Sequence, residues 1–203
     1  MSERITIYGF GDVDRSGKLR WLAGELGLEV DEKKVDFGAQ HQKPYLDLNP
    51  LGQIPTAIFR GRTLIESTAT CHTIAESFES PKLWVGRGEP EREKYLFWLA
   101  AFGETLESRL VDAAVSRAGI LPPEYFELQS RLARPKVDAL SKMLPKDGFL
   151  AGERFTIADI LAGYSLRLAV RTGLVERSAV EPYLSRLVDR PAASNARFFA
   201  SLK

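Results

Sequence analysis

The amino-acid sequence predicts a mixed α/β region followed by an all-α region. Short strand-like and helical patterns alternate over the first eighty of the 203 residues. Over residues 80–90 the composition changes to proline, glycine and charged residues, as is typical of a segment that joins domains. Beyond that segment the strand patterns stop and apolar residues recur at helical spacing. We therefore expect two domains, over residues 1–80 and 88–203.

In the first region, strand-forming residues and turn glycines divide the chain into short elements. Ile5 and Ile7 alternate with polar neighbours, which predicts a strand that ends at Tyr8. Gly27 is placed to stop a helix, and Gly61 to turn the chain between two short strands. The predicted order is a strand around 5–8, a helix over 19–26, strands over 30–35, 56–59 and 63–65, and a helix over 67–78.

In the second region, apolar residues follow the spacing of helices. Five of them recur at i, i+3, i+4, i+7 and i+11 on one face of a long helix: Tyr95, Trp98, Leu99, Phe102 and Leu106. A second helix is predicted over 124–143, although Pro135 should kink or break it. Thr156 is expected to cap a third helix, because Asp159 can reach back to the amide of the cap, so Asp159 should matter for folding. One or two more helices are expected over 181–200.

Composition and charge exclude several classes of protein. A hydrophobic content of 44% and a charged content of 27% are those of an ordinary globular protein. The formal net charge is +1 with both signs spread along the chain, which predicts neither a nucleic-acid partner nor a membrane-surface patch. We see no signal-peptide pattern and no apolar run of about 20 residues, so we expect a cytoplasmic protein. The single cysteine, Cys71, excludes an internal disulfide and a multi-cysteine metal site, and no metal is expected.

Three stretches of the sequence carry a resemblance to a known family. They are residues 49–55 (NPLGQIP) with 65–69 (IESTA), residues 91–107, and residues 149–159 (FLAGERFTIAD). In this order and spacing they resemble the cytosolic glutathione transferases, with a bacterial and serine-type pattern favoured over a tyrosine-type one. The resemblance covers essentially the whole chain. It implies a thioredoxin-like domain over 1–80 that binds glutathione as co-substrate, and an all-helical domain over 88–203 that shapes a second pocket.

The resemblance assigns glutathione binding first to the turn before the third strand. It implies a cis bond between Ile54 and Pro55, which would turn the backbone of Ile54 towards the cysteinyl unit of glutathione. A simple structural turn is the alternative. Gln53 could hydrogen-bond glutathione through its amide, and Gln42 or Lys43 could reach the glycine carboxylate.

A second turn, at Glu66 and Ser67, would complete the cradle. In the family, the hydroxyl of this serine and the free amides of the helix it begins take the γ-glutamyl carboxylate, and the acidic side chain takes the ammonium group. Ser67 could also serve as an ordinary helix cap, and both roles are compatible.

The chemistry that the resemblance implies is attack by the glutathione sulfur on an electrophile. A free thiol has a pKa of about 8.5, so the protein needs a group that stabilises the thiolate. Ser16, at the start of the first predicted helix, and Tyr8, at the end of the first strand, are the two candidate donors. Counting back from the helix, as in serine-type relatives, lands nearer Val13 or Asp14. Ser16 could instead be an ordinary helix cap, and Tyr8 an aromatic residue that packs on the core. In that case a backbone amide would activate the thiol, or the protein would not activate it.

The second pocket and the substrate are less specified by the sequence. Phe10, Trp98 and Phe102 are candidate walls of that pocket, although such aromatics could equally belong to the core. Cys71 is expected to be a small buried residue. The implied function is detoxifying conjugation of glutathione to a small apolar electrophile by a homodimer. The alternatives are a glutathione-dependent peroxidase or disulfide reductase, or a non-catalytic interaction module.

Overall fold

The computed structural model describes residues 3–11 and 14–202, which form two compact units. The first unit contains the chain up to Trp84 together with Pro191–Phe198, and the second contains Val85–Arg190 and the residues from Phe199 onward. The strands are β1 (Arg4–Gly9), β2 (Glu29–Lys34), β3 (Thr56–Phe59) and β4 (Arg62–Leu64). The helices are α1 (Ser16–Leu26), α2 (Tyr45–Leu48), α3 (Ser67–Glu76), α4 (Arg92–Ala100), α5 (Glu107–Arg117), α6 (Pro123–Met143), α7 (Ile157–Thr172), α8 (Arg177–Val188) and α9 (Pro191–Asn195).

A four-stranded mixed sheet in the order β2-β1-β3-β4 forms the centre of the first unit. β1 runs parallel to β2 and antiparallel to β3, and β4 is antiparallel to β3. Ile5 and Ile7 are each 1% exposed, as the alternating pattern of β1 predicts. At the end of β1, Tyr8 lies opposite Thr56, the first residue of β3. This register places Tyr8 next to the turn that contains Ile54 and Pro55.

The last short helix, α9, packs against α1 of the first unit, whereas the sequence placed this segment in the second domain. The rings of Trp21 and Phe198 lie 4.7 Å apart between centroids. Two glycines of α1 make room for the segment, because a Cβ on Gly17 would lie 3.2 Å from Phe198 and one on Gly24 would lie 3.1 Å from Ala192. The absence of side chains at these two positions explains why the segment fits here.

The second unit is all-helical, and its first long helix contains an irregular segment. Residues 92–117 form α4, a π-helical turn over Ala101–Leu106, and α5. Four of the five residues predicted to face the core are buried: Tyr95, Trp98, Phe102 and Leu106. The carbonyl of Phe102 in the π turn accepts a hydrogen bond of 3.2 Å from Ser165 of α7. The widened turn therefore has a side-chain partner for this carbonyl.

Helix α6 continues through Pro135, so of the two outcomes predicted there, a kink or a break, the break is wrong. A proline inside a helix removes one hydrogen bond to the carbonyl four residues earlier. Both Pro135 and Arg131, whose carbonyl is affected, lie on the exposed side of α6. Water can therefore reach the carbonyl that loses its donor, and the helix does not have to end.

The predicted capping interaction at the start of α7 is confirmed. The buried carboxylate of Asp159 accepts hydrogen bonds from the amide of Thr156 at 2.8 Å and from its hydroxyl at 3.1 Å. It also accepts from the amide of Leu150 at 2.9 Å and from the hydroxyl of Tyr183 at 2.7 Å. Burial raises the pKa of Asp159, and its hydrogen bonds act in the opposite direction. One carboxylate thus joins α7, α8 and the loop before α7.

None of the helices in the described part of the chain combines the length and apolar character that a membrane crossing requires. Within residues 3–11 and 14–202, no group of three or more His, Cys, Asp or Glu side chains is placed to hold a metal ion.

Replacing Asp159 with alanine should lower the free energy of unfolding by about 3 kcal/mol or more, because several buried donors lose their acceptor. Urea denaturation followed by circular dichroism measures this loss. Asp138→Ala on the exposed side of α6 is the control, with an expected change within about 0.5 kcal/mol. Unchanged stability of Asp159→Ala, with activity lost, would contradict a structural role.

Candidate functional site

The turn before β3 and the end of β1 form one apolar cluster in the first unit. Its buried members are Val35, Tyr45 and Ile54, and the half-buried Tyr8 and Phe10 pack against them. The structure therefore brings together three residues that the sequence assigned to separate parts of a site: Tyr8 and Phe10 from the first strand and its loop, and Ile54 from the later turn.

In the described part of the loop after β1, the carboxylate of Asp14 links the end of β1 to the start of α1. This side chain accepts hydrogen bonds from the backbone amides of Phe10 and Ser16. Because the amide of Ser16 already has a partner, α1 can begin at this residue, which is the helix start that the candidate role of Ser16 assumes; the apolar pattern alone placed the helix over 19–26. Val13, which serine-type spacing also indicated, lies outside the described residues.

Ser16 itself is fully buried, with 0% of its surface exposed. Its hydroxyl donates to the carbonyl of Gly11 at 3.2 Å and accepts from the guanidinium of Arg20 at 3.1 Å. Arg20 also donates to the carbonyl of Gly11 at 2.8 Å. A Cβ on Gly9 would lie 2.7 Å from the Ser16 oxygen, so the backbone closes over this hydroxyl. The single hydroxyl proton of Ser16 is used inside the loop.

The hydroxyl of Tyr8 is in a different situation. The ring of Tyr8 is half-buried and contacts the ring of Tyr45 edge to face, with centroids 6.3 Å apart and ring planes at 68° to each other. Within the described ranges, this hydroxyl forms no hydrogen bond to another residue. Of the two candidate donors, Tyr8 is the one whose hydroxyl proton has no acceptor among the described residues.

The bond between Ile54 and Pro55 is cis, as the resemblance implies. The turn that contains it is tightly held. Gly52 has a φ of 61°, and a Cβ there would lie 2.8 Å from the ring of His41, so a larger residue would be both strained and crowded. The carbonyl of Gln53 accepts hydrogen bonds from the Tyr45 hydroxyl at 2.7 Å and from the Asn49 amide at 2.9 Å. The side chain of Gln53 is exposed.

The second turn lies at the start of α3. Glu66 precedes the helix with a φ of 64°, and its side chain is exposed. Ser67 is 7% exposed, and its hydroxyl has no hydrogen-bond partner in the part of the chain that the structure describes. No side chain caps the first turn of α3, so its amides are free to meet an anion.

The remaining predicted site residues have individual surroundings. Lys43 is exposed and forms an ion pair of 3.4 Å with Asp47. Trp98 and Phe102 belong to the second unit, where they are 2% and 0% exposed and stack on each other with centroids 5.4 Å apart. Cys71, predicted to be a small buried residue, is 0% exposed, which confirms that expectation.

Two residues near the site were missed by the sequence analysis. Tyr45 contacts Tyr8 and the Gln53 carbonyl, and its only signal was the i, i+4 spacing to Asn49 on a short helix. Phe37, in the loop after β2, is 72% exposed, and its ring lies 5.6 Å from that of Phe10. An exposed aromatic in a loop carries no sequence signal that separates it from its neighbours.

Comparison with known proteins places these features in a family context. Residues 3–76 match the family described as "Glutathione S-transferase, N-terminal domain". Glutathione S-transferase GstA of Escherichia coli O157:H7 is 25% identical over 181 residues, which cover 88% of this chain and 87% of that protein. Glutathione S-transferase 3 of Zea mays is 26% identical over 201 residues, which cover 93% and 90%.

Solved structures share the fold over nearly the whole chain. The glutathione transferase URE2P6 of Phanerochaete chrysosporium, solved with oxidized glutathione, has a TM-score of 0.83 at 24% identity, covering 99% of this chain and 98% of that one. Ure2p in complex with glutathione has a TM-score of 0.81 at 17% identity, covering 97% and 99%. The fold is therefore the thioredoxin-like sheet with an all-helical second part, as predicted.

Replacing Ser16 with alanine should lower the free energy of unfolding by about 1–3 kcal/mol, because Arg20 and the loop lose a buried partner. Chemical denaturation measures the change. Ser194→Ala, at an exposed position of α9 in the same unit, is the matched control and should stay within about 0.5 kcal/mol. If Ser16→Ala is as stable as the control, the hydroxyl does not brace the loop.

Proposed function

Because the chain belongs to the glutathione transferase family, we propose that it binds reduced glutathione and directs its sulfur at a small apolar electrophile. The observation that carries the proposal is the start of α3. There an exposed carboxylate, a serine hydroxyl without a partner among the described residues, and an uncapped helix end occur together. This combination complements the α-amino acid end of glutathione, which carries one ammonium and one carboxylate group.

The proposed contacts follow from the chemistry of each group. The amides of α3 and the hydroxyl of Ser67 would take the γ-glutamyl carboxylate, and Glu66 would take the ammonium group. The backbone of Ile54 would pair with the cysteinyl unit. Gln53 is exposed and can offer its side-chain amide, whereas Lys43 would have to exchange its ion pair with Asp47 for the glycine carboxylate.

For the group that activates the sulfur, we favour Tyr8 over Ser16. Lowering a thiol pKa by about two units needs roughly 2.7 kcal/mol of preferential stabilisation of the thiolate, which a strong hydrogen bond from a hydroxyl can supply. Support for Tyr8 comes from its hydroxyl, which has no acceptor among the described residues, and from its contact with the Ile54 cluster. Ser16 would have to give up its bond to Gly11 to act on a ligand.

The apolar character of the second substrate is supported by aromatic surface next to this cluster. Phe10 joins the Ile54 cluster on one side and the exposed ring of Phe37 on the other. An electrophile near the sulfur would therefore meet aromatic side chains of the first unit. That Trp98 and Phe102 line the pocket remains a prediction, as does the homodimer, which light scattering in solution would test.

Isothermal titration calorimetry with reduced glutathione tests the binding proposal. Ser67→Ala and Glu66→Gln should each weaken binding about 10- to 100-fold, because each removes a hydrogen bond to a charged group. Glu79→Gln, at an exposed carboxylate beyond the end of α3, is the control and should bind like the wild type. Absence of heat from the wild-type protein at millimolar glutathione would refute the proposal.

Tyr8→Phe should raise the pKa of the bound thiol and lower kcat/KM for a chlorodinitrobenzene-type aryl halide by about 10- to 100-fold. Absorbance of the thiolate in the ultraviolet, measured against pH with glutathione bound, reports the pKa directly. Ser16→Ala, where folded, should keep the wild-type thiol pKa.

The opposite pattern, with the thiolate lost in Ser16→Ala and kept in Tyr8→Phe, would assign activation to Ser16. If both variants conjugate at the wild-type rate, neither hydroxyl activates the sulfur. A parallel assay with an organic peroxide and with hydroxyethyl disulfide distinguishes conjugation from the peroxidase and disulfide-reductase alternatives.

A further inference from the structure

We propose that Tyr45, Asn49, Gln53 and Thr56 form a closed hydrogen-bond cycle that holds the Ile54 peptide in position for glutathione, with Tyr45 as a positioning residue. Tyr45 and Asn49 come from α2 and its end, and Gln53 and Thr56 flank the Ile54–Pro55 turn. The inference rests on the proposed glutathione binding and adds to it the side chains that shape the binding turn.

The direction of every bond in the cycle can be assigned from the donor and acceptor capacity of its members. The carbonyl of Gln53 can only accept, so the Tyr45 hydroxyl, 2.7 Å away, must donate to it. The Tyr45 oxygen then accepts from the hydroxyl of Thr56, also at 2.7 Å.

The amide group of Asn49 closes the cycle, because its two hydrogens reach two different acceptors. One reaches the Thr56 oxygen at 3.1 Å and the other the Gln53 carbonyl at 2.9 Å. Each hydrogen therefore has one acceptor, and only one arrangement satisfies all four bonds. The side-chain oxygen of Asn49 also accepts from the amide of Leu51 at 3.1 Å, inside the same turn.

Burial makes the cycle costly to open. Tyr45, Asn49 and Thr56 are 5%, 1% and 0% exposed, so water cannot readily replace a lost partner. Burial also raises the pKa of the Tyr45 hydroxyl, which keeps it protonated and able to donate.

The cycle acts on the turn from both ends. Gln53 precedes Ile54 directly, and Thr56 follows Pro55 directly, so the two anchored residues enclose the dipeptide whose backbone would pair with glutathione. Thr56 is also the β3 residue opposite Tyr8, and the Tyr45 ring contacts the Tyr8 ring. One set of side chains thus fixes the peptide-binding edge and supports the proposed thiol donor.

The test is Tyr45→Phe in the full-length protein, which keeps the ring and removes only the hydroxyl. We expect the dissociation constant and KM for glutathione to rise about 10-fold, with a smaller change in kcat, because the turn is no longer preset. Hydrogen exchange of the ligand-free protein should show faster exchange confined to residues 53–57. Thr172→Val in α7 is the control, since it also loses a buried hydroxyl that donates to backbone carbonyls, and its glutathione affinity should be unchanged.

A second pair of variants keeps the test decisive if Tyr45→Phe does not fold. Thr56→Ser keeps the hydroxyl and should bind glutathione like the wild type, whereas Thr56→Val breaks two bonds of the cycle and should bind about 10-fold more weakly. Wild-type affinity in a folded Tyr45→Phe or Thr56→Val variant overturns the positioning role.

Failure of the proposed function has a separate signature. A wild-type protein that takes up no glutathione overturns both the function and the positioning role, even where residues 53–57 exchange faster in Tyr45→Phe. Normal wild-type uptake with unaltered affinity in the variants overturns the positioning role alone.

Discussion

A polar group that folding removes from water needs a hydrogen-bond partner inside the protein. The structure of both units depends on the hydrogen bonds that a few buried polar groups form. In the first unit the requirement is met where the chain enters β3, by the hydrogen-bond cycle around the Gln53 carbonyl. Because β3 pairs with β1 on one side and β4 on the other, the strand that the cycle fixes orders the sheet around it. In the second unit the buried carboxylate of Asp159 meets the same requirement, because it accepts hydrogen bonds from α7, α8 and the preceding loop.

The same requirement separates residues that look alike in the sequence. Ser16 and Ser67 both begin a helix, yet the hydroxyl of Ser16 is bonded within its own loop while that of Ser67 has no partner among the described residues. A hydroxyl whose bonds are already made stabilises the fold, and one that is left over can serve a ligand. If the chain binds glutathione as proposed, the hydroxyl of Ser67 is available to that ligand, whereas the hydroxyl of Ser16 would first have to give up its bond to Gly11.

The sequence predicted correctly the features that depend on residues close together along the chain. The order of α/β and all-α regions, the alternation in β1 and the Thr156–Asp159 capping interaction all follow from spacings of a few residues. The hydrogen-bond cycle could not be predicted in this way, because it joins side chains up to eleven positions apart and depends on a turn whose shape the spacing does not specify. The burial of Ser16 depends on Gly9 and Arg20 closing over it, and the continuation of α6 through Pro135 depends on which side of the helix faces water.

The packing of α9 on α1 has a consequence for how the chain folds as it is made. The first unit is discontinuous in the sequence, since its last part is supplied by Pro191–Phe198. While the helical unit is still being synthesised, the segment that packs against Trp21 has not yet been made. More than a hundred residues separate that segment from the earlier part of the first unit. Synthesis from the N-terminus therefore leaves the apolar side of α1 around Trp21 uncovered until the last part of the chain has been made.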